Sequence, residues 1–234
     1  MSRSRSFFSG LGQGIPIGLG YLSVSFGFGI MAVRAGLSVT EASLISLTNL
    51  TSAGQAAGVD VIASHGSLLE MALVQLTINI RYALMALSLS QKLDGSFTLP
   101  HRLLAAYGIT DEIFGLCSAK PGKLEPFFMY GVIVIATLGW VLGTFLGASA
   151  GELLPAPVTA ALGIVLYGMF IAIIVPPSRK SKSILCVVLA AAALSCICKY
   201  LLPMISSGFA VIICGVAASV LGAVLFPREE EEEA

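Results

Sequence analysis

Charge is what this 234-residue chain has least of. Asp, Glu, Lys and Arg together make up 11% of it, against about 25% in an ordinary soluble domain. With 56% hydrophobic residues and a mean hydropathy of +0.93, no soluble core could hide the apolar surface, so the solvent must be mostly lipid. Histidine is almost missing, with only His65 and His101. Cys117, Cys186, Cys196, Cys198 and Cys214 form no CxxC pair, which argues against a disulfide framework and a metal site and leaves them as small packing residues. There is no GxxxxGK[ST] and no HExxH. The chain is therefore read as no enzyme, with no cofactor and no metal. Basic blocks interleaved with aromatics are absent as well, so nucleic acid is not an expected partner.

What is present is a series of long apolar runs with the remaining charges in short gaps between them. A helix of about 20 residues crosses the hydrocarbon. Seven runs qualify: 14–33, 41–63, 67–90, 127–149, 157–176, 183–202 and 206–226. They are separated by breaker signals such as Arg34-Ala35-Gly36, His65-Gly66, Pro155 with Pro157, Pro176-Pro177 and Pro203. The stretch 103–118 is apolar but short and carries Asp111 and Glu112; it is an eighth span, a re-entrant hairpin or an interfacial helix. The expected fold is all-α: one polytopic membrane domain over 1–234 with seven spans, or eight if 103–118 crosses. The basic N-terminus (Arg3, Arg5) opens a retained first span rather than a signal peptide. Lys and Arg favour the cytoplasmic side. With seven spans the N-terminus lies outside, and with eight it lies inside. Both arrangements put Lys120, Lys123, the Arg179–Lys182 loop and the acidic tail 229–234, with Glu229 to Glu233, in the cytoplasm.

The polar residues inside these runs are the candidates for function, because an ionisable side chain at bilayer depth costs about 2.5–3.5 kcal/mol even on the mild insertion scale. In 67–90, Gln75, Asn79 and Tyr82 share one helical face, and Glu70, Thr77 and Arg81 another. Glu70 and Arg81 stand about 16 Å apart along the axis, too far to pair directly. Arg81 either snorkels to the interface or meets Asp111, Glu112 or a substrate carboxylate, which its planar fork suits. Thr110-Asp111-Glu112 is either a proton-coupling or ion-pairing knot, or a capped helix start. Gln55, beside Gly54 in the second run, offers a donor and an acceptor to a zwitterion or to a neighbouring helix. Pro16, among Gly14 and Gly18, either breaks the first helix and frees backbone for a substrate site, or merely kinks or starts it. Gly139, Gly143, Gly147 and Gly151 repeat every fourth residue, as do Gly10, Gly14 and Gly18, and mark helix-packing faces.

Taken in order, Gly14-Ile-Pro-Ile-Gly-Leu-Gly-Tyr21, Ala35-Gly-Leu-Ser38, Glu41-Ala42, Ser52-Ala-Gly-Gln55, Asn79-Ile-Arg-Tyr82 and Thr110-Asp-Glu-Ile-Phe114 resemble the AzlC family of branched-chain amino-acid permeases. The later Leu162-Gly-Ile and Tyr167-Gly-Met-Phe-Ile-Ala172 fit as well. The resemblance implies a multi-pass protein of the bacterial inner membrane that exports valine, leucine, isoleucine or methionine. It implies proton linkage and a small AzlD-type partner of about four spans. This chain departs from the family pattern at Ala56, where an aromatic is frequent, and at Tyr82, where His is common. The rival readings are a membrane scaffold whose polar residues only join helices, and a channel.

Overall fold

The computed structural model describes residues 2–153, 155, 157, 171 and 174–227. Run 157–176 lies largely outside them, as do Leu162 to Phe170, Ala172, Arg228 and the tail 229–234. The described residues are helical apart from turns and one isolated bridge, Leu93 with Leu124, which joins the loops ahead of two later helices. The helices are α1 (Arg3–Arg34), α2 (Val39–Thr48), α3 (Ser52–Ala63), α4 (Leu68–Ser90), α5 (Leu99–Tyr107), α6 (Asp111–Ala119), α7 (Pro126–Leu153), α8 (Lys182–Leu201) and α9 (Ser207–Leu225). Five of them, α1, α4, α7, α8 and α9, are long and apolar enough to cross a membrane. Two compact units arise: 1–59 with 79–166, and 60–78 with 167–234.

The first unit is built on α1 and α7. An added Cβ on Gly10 would stand 2.0 Å from the carbonyl oxygen of Phe128, on Gly139 2.1 Å from that of Gly18, and on Gly147 2.0 Å from that of Phe26. Backbone thus touches backbone along the whole seam, the packing mode that small residues at a four-residue spacing permit. Gly143 is held as tightly, against Leu22, whereas Gly151 is at ordinary contact distance from Ile30. The pairs rise together along both chains, so α1 and α7 run parallel. Their starts meet as well, with the Arg3 guanidinium 5.5 Å from the centre of the Phe127 ring.

Two expectations from the sequence need correction, and a third stretch, left open there, takes a definite form. The first helix is not broken near Pro16: α1 is continuous from Arg3 to Arg34 with Pro16 inside it. A proline ring clashes with the carbonyl four residues back. Here that residue is Gly12, and both it and Pro16 are exposed on α1, so no neighbouring helix hinders the local adjustment the ring requires. The run 41–63 is not one helix but two, interrupted at Asn49-Leu50-Thr51, where Asn49 turns extended (φ −138°). The stretch 103–118 is likewise a pair, α5 and α6, parted at Gly108-Ile109-Thr110.

In the second unit the first half of α4 meets α9. Glu70 is buried, its backbone N–H donates to Ser67 Oγ (3.1 Å), and its carboxylate accepts from the hydroxyl of Ser206, the N-cap of α9. Gly66 and Gly208 leave room for that carboxylate. Between α8 and α9 the Cys198 and Cys214 sulfurs lie 3.8 Å apart as free thiols.

Parallel α1 and α7 carry a topological consequence. Two parallel spans must be separated by an odd number of crossings. With α4 supplying one, α2–α3 and α5–α6 either both cross or both re-enter. In both cases the N-terminus and the Lys120–Glu125 loop share a side. With the native cysteines replaced, a membrane-impermeant thiol reagent should label Ser4→Cys and Lys123→Cys from one face and Thr40→Cys from the other; labelling of Ser4→Cys and Lys123→Cys from opposite faces would refute the parallel arrangement. The seam makes a second prediction. Gly139→Ala should lower the melting temperature in detergent, by about 1–3 kcal/mol of overpacking. Gly12→Ala, with nothing within 4 Å, should leave it unchanged or raise it through helix propensity.

Candidate functional site

The two interruptions in the first unit are where the polar residues gather. An interrupted helix strands carbonyls at its C-terminal end and amides at the next start, and in an apolar interior these must find partners within the protein. At the first break one side chain does most of this. The amide nitrogen of Gln55 donates to the carbonyls of Ile45 (3.2 Å) and Asn49. Its carbonyl oxygen accepts from Trp140 Nε1 (3.1 Å) on α7 and from Ser46 Oγ (3.4 Å). Ser46 also meets Thr144 Oγ1 on α7 at 2.7 Å. Gln55 is only 1% exposed, and its amide is fully occupied. The structure therefore places it as a clamp between the break and α7. Tyr107, the last residue of α5, donates its hydroxyl to the carbonyl of Leu47, so the second interrupted segment closes the first.

Each new helix start is capped by a threonine. Thr51 Oγ1 accepts from Gly54 N–H (3.4 Å) ahead of α3, and Thr110 Oγ1 from Ile113 N–H (3.3 Å) ahead of α6. Both hydroxyls also bind other helices. Thr51 lies 2.9 Å from Asn79 Oδ1 and accepts from the Tyr82 hydroxyl at 3.1 Å. The Tyr21 hydroxyl of α1 lies 2.6 Å from Thr110 Oγ1 and 2.5 Å from Glu112 Oε2, and its single proton serves one of them.

Between the two capped starts stands Arg81. Its Nη1 is 2.8 Å from Asp111 Oδ2 and 3.1 Å from Oδ1, and Nη2 donates to the Tyr82 hydroxyl at 3.5 Å, with the guanidinium 5.1 Å from the Tyr82 ring centre. The two charged side chains are 45% and 42% exposed. Asp111 and Glu112 open α6, where negative charge is favoured by the helix dipole. The protein's own side chains thus leave about half of each charged group uncovered, where a ligand carrying the same two charges can reach the pair.

Of the residues singled out from sequence, Arg81, Asp111, Glu112 and Asn79 thus fall in one chain of contacts. Gly54 and Gln55 belong to the α3 start and the clamp beside it. Pro16 lies apart, on the exposed face of α1, and Gly139, Gly143, Gly147 and Gly151 lie on the α7 seam or its end. Sequence reasoning missed Tyr21, Thr51, Thr110 as a ligand of Tyr21, and Trp140. The lone tryptophan was the readable signal, since a buried indole N–H needs an acceptor. Gln55→Leu should lower thermal stability by about 2–4 kcal/mol, because two carbonyls and the indole lose their partner at once; Trp140→Phe should cost less. A Gln55→Leu protein that melts with the wild type would exclude the clamp.

A sequence profile of the family described as AzlC protein matches residues 16–154. The chain is 28% identical over 228 residues to "Inner membrane protein YgaZ" of Escherichia coli (strain K12), covering 94% of this chain and 92% of that one. It is 33% identical over 178 residues to an "Uncharacterized membrane protein" of Archaeoglobus fulgidus, covering 75% of this chain and 78% of that one. A third relative, from Helicobacter pylori (strain ATCC 700392 / 26695), is 28% identical over 142 residues, or 59% of this chain and 61% of its own. No solved structure matches the chain. The profile takes in both interrupted helices and every residue of the polar chain, and with it this protein belongs to the AzlC family of membrane proteins.

Proposed function

We propose that this protein is the large subunit of a secondary transporter that carries branched-chain or similar apolar amino acids out of the cytoplasm, together with a small four-span membrane partner of the AzlD type. The observation that carries the reading is the half-exposed Arg81–Asp111 pair, set between two capped helix starts. An α-amino acid brings a carboxylate and an ammonium. The carboxylate would take the Arg81 fork and the amide-rich start of α6, and the ammonium would take Asp111. Interrupted helices with this kind of polar start are how secondary transporters build substrate sites. Asp111 and Glu112, adjacent at the start of α6, are the acidic side chains through which a coupling proton would pass. The apolar side chain of the substrate would need only close-packed small residues around it, as near Gly54.

A cytoplasmic N-terminus follows for this reading. Arg3, Arg5, Lys120 and Lys123 then share the side that the positive-inside rule favours. The scaffold reading keeps one observation in its favour, since Gln55 serves the protein's own backbone.

The test is efflux. Cells lacking native exporters and expressing the chain with its candidate partner would be loaded with valine- or leucine-containing dipeptides and the external amino acid followed. Faster release that needs both proteins is expected. Arg81→Gln, at normal membrane levels, should slow it about tenfold or more, the loss expected for a charge-assisted hydrogen bond. Unchanged release of valine, leucine, isoleucine and methionine would reject the substrate class. Loss of assembly rather than of flux in Arg81→Gln would favour the scaffold.

A further inference from the structure

A second charged feature lies in the other unit, remote in sequence from Arg81. A cavity of about 470 Å³ is walled by Ile174, Leu185 and Val188 and rimmed by Arg179, Lys180 and Lys182. Its size is within the range of small-ligand sites. Three cations fall within four residues, and none of them has an ion pair or hydrogen bond among the described residues. No Asp or Glu occurs between Leu153 and Arg228, so the acids nearest along the chain are Glu152 and the run Glu229 to Glu233.

The local helix makes this worse. Ser181 caps α8, its Oγ accepting from Ile184 N–H at 3.4 Å, and the first turn of α8 contains no acid but does contain Lys182. A helix start carries about half a positive charge and is stabilised by anions, not cations. Lys182 is therefore unfavourably placed, whereas Arg179 and Lys180 close the preceding helical stretch 174–180, where cations are favoured; an anion set among the three side chains and the α8 amides would offset the charge at the α8 start. Ser178 is not part of the demand, since its hydroxyl is bonded to the Ile174 carbonyl at 2.7 Å.

The walls say which kind of anion. Ile174 and Leu185 are each 42% exposed, and α8 runs from this point as one of the apolar helices long enough to cross a membrane. A cationic rim above an apolar wall at the end of a span matches a phosphate headgroup with its acyl chains below it. We propose that this cavity is a binding site for one anionic phospholipid, held by Arg179, Lys180 and Lys182 at the headgroup and by Ile174, Leu185 and Val188 along the chain. The site is independent of the transport reading and stands or falls without it.

The test uses the full chain purified in detergent, with phosphatidylglycerol, phosphatidylcholine and inorganic phosphate as probes, read by thermal shift and by native mass spectrometry. Phosphatidylglycerol should raise the melting temperature and remain bound as one molecule per chain, and phosphatidylcholine should do neither. Arg179→Gln with Lys182→Gln should weaken binding roughly tenfold or more. Arg5→Gln with Arg34→Gln, which removes as much charge elsewhere, should leave it intact. Leu185→Trp, which fills the apolar wall and keeps every charge, should also weaken it, and this separates a lipid site from a misfolded double variant. Equal stabilisation by phosphatidylcholine, or by inorganic phosphate alone, would overturn the proposal. So would binding seen only after residues 229–234 are deleted, because the glutamate tail would then be the occupant.

Discussion

Everything at the polar centre of this protein follows from one constraint: backbone groups in an apolar interior must be hydrogen-bonded without water. Continuous helices meet it automatically. Two segments here do not, and each interruption recruits a specific set of side chains. Gln55 and Tyr107 take the loose carbonyls of α2, while Thr51 and Thr110 take the loose amides of α3 and α6. Those side chains in turn fix Trp140, Asn79, Tyr82 and Tyr21. The charged pair Arg81–Asp111 is tied into this network through the Tyr82 hydroxyl. The site is thus a by-product of solving a backbone problem twice.

The second dependence is on the α1–α7 seam. Trp140, Thr144 and Tyr21 can reach the breaks only because glycines let the two long helices approach to backbone contact. The Tyr21 and Trp140 rings then stack edge to face, 5.2 Å between centres, beneath both interruptions. Side chains of ordinary size on the seam would push these anchors outward and leave the half-helices without a support.

Much of this was legible in the sequence. The lipid-facing character, the long helices and the glycine face follow from composition and spacing, and Asp111 is one of the partners that the cost of an isolated Arg81 charge left open, beside Glu112, a substrate carboxylate and the interface. What misled was punctuation. Pro16 looks like a break and is not one, because at an exposed position the helix can adjust around the ring and run on. Asn49-Leu50-Thr51 contains neither proline nor glycine and is a real break, because the energy that makes it comes from Gln55 and Trp140, the latter 85 residues away in the chain. Local signals cannot report a stop that tertiary hydrogen bonds impose. The roles of Tyr21 and Tyr107 were hidden for the same reason, since each is defined by a distant partner.

Arg81 and Asp111 sum to zero charge, and so does an amino acid in its zwitterionic form. An amino acid exchanged into such a pair, as proposed above, would move through the field of an energised membrane without doing electrical work, although a single unbalanced charge would feel about 2.3 kcal/mol for every 100 mV. With a site working this way, the membrane voltage would neither drive nor resist the passage of cargo itself. The sensitivity to voltage falls wholly on whatever else moves in the cycle, and a carrier of this kind would feel the electrical state of the cell only through a proton taken up alongside.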